Sequence, residues 1–211
     1  MTRALRNLAL LLAGVLSGLL HPAVLAEQLK SPAEFDSIAD KKERSAAIFR
    51  EAGKVIQSPR CLNCHPSARV PTQGEGLTTH VPYLDAAASG MGQPGLKCVA
   101  CHQAANVRTQ SPSISSIPGH PHWHLAPASM AWQGKSLEEI CAQIKDPKRN
   151  GGMDLAKIHH HMGSDPLVGW AWKPGEGRKP APGTQKAFGL LIQAWIVNGA
   201  VCPTGPDVAS K

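Results

Sequence analysis

Two stretches carry the same reactive side chains in the same order, Cys61-Leu62-Asn63-Cys64-His65 and Cys98-Val99-Ala100-Cys101-His102, 37 residues apart. Two Cys-x-x-Cys pairs supply four thiolates, the donor set of a tetrahedral zinc site, and each pair could also cycle between dithiol and disulfide. A third chemistry uses the histidines as well. In haem c attachment the two thiols bond to the vinyl groups at the porphyrin edge, and the residue that follows is fixed beneath the iron. A four-thiolate zinc site has no use for His65 and His102. A redox pair of the thioredoxin kind needs one Cys-x-x-Cys where a strand turns into a helix, and neither stretch has that setting. The duplicated motif therefore points to two covalently bound haem c groups, held through Cys61, Cys64, Cys98 and Cys101, with His65 and His102 as proximal iron ligands.

The start of the chain bears on the same choice. Arg3 and Arg6 precede an apolar, uncharged run from Leu8 to Leu20 that closes on Ala23-Val24-Leu25-Ala26. This is the pattern of a secretory signal peptide, residues 1–26, cleaved after Ala26. The run of about 13 residues falls short of the ~20 needed to span a bilayer. No later stretch is apolar enough to span, so the mature chain is expected in the periplasm with no membrane span. An oxidising compartment disfavours four free thiolates, which weighs further against zinc. Cleavage leaves residues 27–211, read as one dihaem domain large enough to build its own core. The net charge of +7 falls by two to +5, because Arg3 and Arg6 leave and no acidic residue does. The Lys and Arg residues are scattered, which is no nucleic-acid signature, and two haems would add about four propionate charges.

On its two Cys-x-x-Cys-His motifs the chain resembles the c-type cytochromes, and that resemblance frames the search for the sixth iron ligands. Met91, Met130, Met153 and Met162 compete with His80, His120, His122, His124 and His159 to His161. For the first haem the expected ligand is His80, 15 residues beyond His65 in Thr-Thr-His-Val-Pro-Tyr, with Met91 next. For the second it is Met130, which follows Pro127 in Leu-Ala-Pro-Ala-Ser-Met and looks like the proline-framed loop that carries the methionine ligand in many monohaem cytochromes c. His161 is the alternative there, although a helical wheel from Leu155 turns Met162 and His159 inward more directly. A histidine above one iron and a methionine above the other would give unequal potentials, the methionine-ligated one higher.

The elements that must hold these residues are helices and long loops. Ser31-Pro32-Ala33-Glu34 is a capping box with proline at the first helical position, so a helix is expected from there toward Ile56. A second capping box, Ser136 with Glu139, opens a helix whose Leu137, Ile140, Cys141 and Ile144 recur at helical spacing. A short helix is expected from Asp154 to Met162, and Thr184 caps a last one with Phe188, Leu191, Ile192 and Trp195 on one face, stopped by Gly199. No strand is expected. The fold class is mainly α, cytochrome c-like: three to four helices with long irregular loops packed around two covalent haems. Only 4% of residues are aromatic and Gly plus Pro make 38 of 211, so side chains alone fill a core poorly and a large flat cofactor would fill it. Cys141 and Cys202 have no Cys-x-x-Cys-His partner, and in an exported chain a disulfide between them is the simplest account.

A longer resemblance covers residues 60–203. The stretches W-H-L-A-P-A-S-M-A-W-Q-G-K-S, I-K-D-P-K-R-N-G-G, L-V-G-W-A-W-K-P-G and A-W-I-V-N-G-A-V-C-P are similar to exported cytochrome proteins labelled as subunits of isoquinoline 1-oxidoreductase. The resemblance implies an electron-transfer subunit that accepts electrons from a periplasmic dehydrogenase, such as a molybdenum hydroxylase, and passes them to a respiratory acceptor. Nothing in the chain resembles a molybdopterin-binding domain. The alternative is a small dihaem peroxidase-like enzyme, which needs one iron with an open sixth position.

Overall fold

The structure is a computed structural model that describes residues 27–111 and 113–205, so the expected signal peptide lies outside the described residues. Six α-helices are present among them. The long ones are α1 (Lys41–Ile56), α3 (Leu137–Lys145), α4 (Leu155–Ser164) and α6 (Gln185–Val197), while α2 (Pro59–Leu62) and α5 (Pro166–Gly169) are single turns. Each long helix starts on a side chain that accepts a bond from an otherwise unpartnered N–H of the first turn. Asp40 accepts from Glu43 N at 2.8 Å, Asp154 from Lys157 N at 2.8 Å, and Thr184 from Ala187 N at 3.1 Å. At α3 the Ser136–Glu139 capping box closes both ways, at 2.8 and 3.2 Å.

The expected helix from Ser31 to Ile56 is divided. Ser31 N donates to Glu34 Oε2 at 2.6 Å, but the box opens only a 3-10 turn, Pro32–Phe35, and α1 begins afresh behind Asp40. Asp40-Lys41-Lys42-Glu43 is itself a start signal with an acidic residue in the first turn, and a second cap inside a helical pattern ends the first segment. The expectation of no strands is also corrected. Three antiparallel ribbons of two-residue strands occur: β1 (Thr72–Gln73) with β2 (Thr78–Thr79), β3 (Gly92–Gln93) with β4 (Leu96–Lys97), and β5 (Val107–Arg108) with β6 (Ser116–Ile117). Strands this short carry no alternating hydrophobic pattern, which is why periodicity does not reveal them.

The core lies where α1, α3, α4 and α6 meet. Phe49, Ala52, Val55 and Ile56 of α1 face Leu191, Ile192 and Trp195 of α6, with Ile140, Cys141 and Ile144 of α3 beside them, and all are buried. Phe49 and Trp195 rings stand 4.8 Å apart. Each such side chain contributes about 1.5–3 kcal/mol by leaving water. Ser45 is buried among them and is satisfied at both lone-pair and proton: its Oγ donates to Trp195 O at 3.1 Å and accepts from Val201 N at 3.0 Å. Cys141 and Cys202 form a disulfide across a sequence separation of 61, tying the segment after α6 to α3.

Helix α4 reaches α6 at backbone contact. A Cβ added at Gly189 would stand 2.8 Å from Gly163 Cα, and one at Gly163 would stand 2.9 Å from Gly189 Cα. The two glycines thus set the spacing of these helices, and with it the position of His161 on α4.

Two predictions follow from this packing. Alkylation under denaturing conditions without reductant will label neither Cys141 nor Cys202, and removal of the bridge will lower stability by up to ~4 kcal/mol. Gly189→Ala gains about 1 kcal/mol of helix propensity but overpacks the contact at a cost of about 1–3 kcal/mol, so thermal unfolding will show a lower Tm.

Candidate functional site

Both motifs are wound into the same turn. His65 N donates to Cys61 O at 3.1 Å at the end of α2, and His102 N donates to Cys98 O at 2.9 Å after the 3-10 turn Cys98–Ala100. The four thiols are free, three of them half-buried and Cys101 exposed. Burial pushes the Cys61 thiol up to about 12, with Cys64 beside it adding to the shift, and pushes Cys64 up to about 11. Burial raises Cys98 as well. These are protonated thiols at neutral pH, unlike the thiolates of redox pairs.

Two clefts open beside the motifs. One is lined by Cys98, His102, His80, Trp123 and Arg178 among others. The other is lined by Cys61, His65, His161, Met162 and Trp132 among others. Cys101 lines neither. Arg60, Cys64, His124 and Trp170 line both clefts, so the two share a wall. Among the described residues, no group of three or more His, Cys, Asp or Glu side chains converges as a metal site.

Each motif histidine is held from behind. His65 Nδ1 donates to Met130 O at 2.7 Å, and His102 Nδ1 donates to Pro118 O at 2.8 Å. A carbonyl only accepts, so in the neutral ring Nδ1 carries the hydrogen and Nε2 is left with its lone pair. Burial pulls the pKa of both rings down to about 4, which keeps them neutral at pH 7. Each ring also lies flat on a tryptophan: His65 on Trp132 at 3.5 Å and His102 on Trp123 at 4.7 Å between centroids. Gly119 lets the Pro118 loop come this close, since a Cβ there would strike Ala105 O.

The candidates for the opposite side are placed as follows. His80 follows the β1–β2 ribbon and its ring lies 5.9 Å from that of His102, tilted by 49°. Its Nδ1 donates to Pro82 O at 2.8 Å, so its Nε2 is also bare. The sequence pairs His80 with His65; the structure sets it beside His102 instead. His161 of α4 lines the His65 cleft, and its Nδ1 meets Asp165 Oδ2 at 3.0 Å. Asp165 holds two things at once, since its Oδ1 accepts from Leu167 N at 2.8 Å and so caps α5. Burial opposes the charge on Asp165, but these hydrogen bonds outweigh it and hold the carboxyl below its ordinary pKa.

Met130 is not in the cleft of His102. The strap from Leu125 to Trp132 is pinned to the first motif: Ala126 N donates to Cys64 O at 3.1 Å and Trp132 N donates to His65 O at 2.9 Å. That brings the Met130 carbonyl against His65 and leaves the Met130 side chain in the core, 4% exposed. Met91 is 47% exposed and lines neither cleft. Of the remaining histidines, His124 reaches the shared wall, while His159 and His160 line neither cleft.

Several residues of the clefts are not singled out by sequence reasoning. Asp165 was within reach, because His161 and Asp165 stand at i and i+4. Arg60 adjoins Cys61 in the chain but carries no motif of its own. Pro118, Trp123 and Trp170 come to the clefts from separate loops, and no local signal marks them. Among known proteins, the chain matches no family model, no curated protein and no solved structure, so the chemistry of these two clefts is the guide to what the protein does.

Proposed function

We propose that the chain is an exported dihaem c-type electron carrier, with one haem in each cleft. The observation that carries this is the His80–His102 pair: two imidazoles 5.9 Å apart, each with Nδ1 donating to a backbone carbonyl, which in a neutral ring leaves Nε2 free to bind a metal. Two imidazoles that share one metal ion across bonds of about 2 Å have centroids about 6 Å apart. The residues also fit the group in two other respects: free thiols in both motifs, and a histidine held at the end of each motif turn.

In this reading Cys61 and Cys64 hold one porphyrin and Cys98 and Cys101 the other. His65 and His161 would serve the first iron, and His102 and His80 the second. Haem iron, when bound, supplies the ferric–ferrous couple that carries one electron at a time. The protein's part is to fix the ligands. Carbonyls of Met130, Pro118 and Pro82 and the carboxylate of Asp165 orient the four rings, and such outer partners also raise ligand basicity. The tryptophans stacked on His65 and His102 stop those rings from turning and exclude water from their faces.

His80 stands 5.9 Å from His102 and His161 lines the cleft of His65, so each motif histidine has a second histidine at hand, which favours a carrier over a peroxidase-like catalyst, since the latter needs an open iron. A histidine on both far sides also replaces the expected His/Met difference, so any inequality of potential would arise from the surroundings: Asp165 behind one ligand, neutral carbonyls behind the others. The donor is proposed to be a periplasmic dehydrogenase, such as a molybdenum hydroxylase of the isoquinoline 1-oxidoreductase type, and the acceptor a respiratory protein.

The intact mass of the protein, made with a working cytochrome maturation system, will exceed the polypeptide mass by two haems; no added haem would end the proposal. In electron paramagnetic resonance of the ferric protein both irons will be low-spin, with negligible peroxide turnover. His80→Ala and His161→Ala will each convert one iron, about half of the total signal, to high-spin. Met130→Leu will leave both irons low-spin, because the substitution keeps the Met130 carbonyl that holds His65.

A further inference from the structure

Arg60 stands on the wall between the clefts and shares its one carboxylate partner with a second arginine. Its side chain is 2% exposed, and the residue lines both clefts. One nitrogen is engaged: Nη2 donates to Glu75 Oε1 at 2.7 Å. Nε is buried and has no hydrogen-bond partner. The guanidinium lies 6.0 Å above the Trp170 ring, and Trp170 is itself fixed by Nε1 donating to Asn106 Oδ1 at 2.9 Å.

Arg178 adds a second cation nearby, near enough that the two guanidiniums repel each other. It is used structurally, donating through Nη1 to Ser116 Oγ and through Nη2 to Ser116 O, each at 2.7 Å. Glu75 is the carboxylate that both feel, so two cations share one acidic group. Burial holds both arginines below their ordinary pKa, and Glu75 only partly offsets this. Arginine does not shed its proton to relieve such a cost. A buried donor without an acceptor, beside two cations that share a single carboxylate, is a site for a further anion, and the planar guanidinium fits a carboxylate.

We infer that Arg60 is a positioning residue common to both clefts: its open Nε and its charge serve the carboxylates of both bound porphyrins across the shared wall, so that one side chain sets both midpoint potentials together. The inference rests on the dihaem reading and adds to it that the two sites are electrostatically linked through this residue. A fixed positive charge beside an iron disfavours the ferric state, so it raises the potential of each haem it reaches. Glu75, in contact with the same guanidinium, offsets part of that effect.

The test uses the haem-loaded full chain and its Arg60→Gln, Arg60→Lys and Glu75→Gln variants, each checked for two haems by intact mass and titrated by spectropotentiometry. In Arg60→Gln both potentials will fall together, and in Arg60→Lys, which keeps the charge, they will stay near the wild-type values. Glu75→Gln alters a half-exposed side chain and leaves Arg60 in place, so it reports even if Arg60→Gln does not fold. It will raise both potentials. Two haems with unmoved potentials in Arg60→Gln and Glu75→Gln, or a shift of one haem alone, would overturn the shared role while leaving the dihaem reading intact. A wild-type protein without covalent haem would overturn both.

Discussion

A carbonyl oxygen has no proton to offer, so a neutral imidazole that meets one through Nδ1 carries its own hydrogen there and leaves Nε2 bare. His65, His102 and His80 are each held in this way, by Met130, Pro118 and Pro82, and His161 is held by the Asp165 carboxylate. Much of the irregular chain is arranged around this one requirement. The strap from Leu125 to Trp132 must lie along the first motif for Met130 O to reach His65, and the Pro118 loop must approach the second closely enough that only glycine fits at position 119. The short ribbons serve the same end: β1–β2 leads into His80, β3–β4 leads into Cys98, and β5–β6 leads into Pro118.

The helical body and the loop region divide the work accordingly. α1, α3, α4 and α6 bury the large apolar side chains and are joined by the Cys141–Cys202 bridge. They deliver few of the cleft's polar groups, with His161 of α4 the chief exception. Its placement depends on the contact of Gly163 with Gly189, because any side chain at that crossing would move α4 away from α6. The second motif has no such support. Its histidine is held by loop carbonyls and by Trp123, which packs edge-on against Trp170 at 4.9 Å.

Charge and burial act together at the clefts. Enclosure that keeps the Cys61 and Cys64 thiols protonated and the motif histidines neutral also leaves Arg60 as a permanent cation in a poorly solvated wall. Such an arrangement is compatible with the proposed carrier, whose porphyrin carboxylates would be anionic.

By itself the sequence determined what depends on neighbours along the chain. The two Cys-x-x-Cys-His turns, the caps at Ser136, Asp154 and Thr184, the apolar faces of α3 and α6, and the candidate list of His80, Met130 and His161 are all readable within a few residues. The Cys141–Cys202 bridge was legible by elimination, since the other four cysteines belong to the motifs. Which histidine faces which motif was not legible, because that depends on how loops separated by tens of residues cross, and spacing along the chain says nothing of it. His80 is nearer in sequence to His65 yet lies against His102, and Met130 was drawn to His65 by backbone bonds that any residue there would make. The division of the first helix at Asp40 and the two-residue ribbons escaped for a related reason, since a competing cap or a single pair of ladder bonds leaves no periodic trace. Only the tertiary structure decided these, through backbone hydrogen bonds between segments whose side chains carry no record of the pairing.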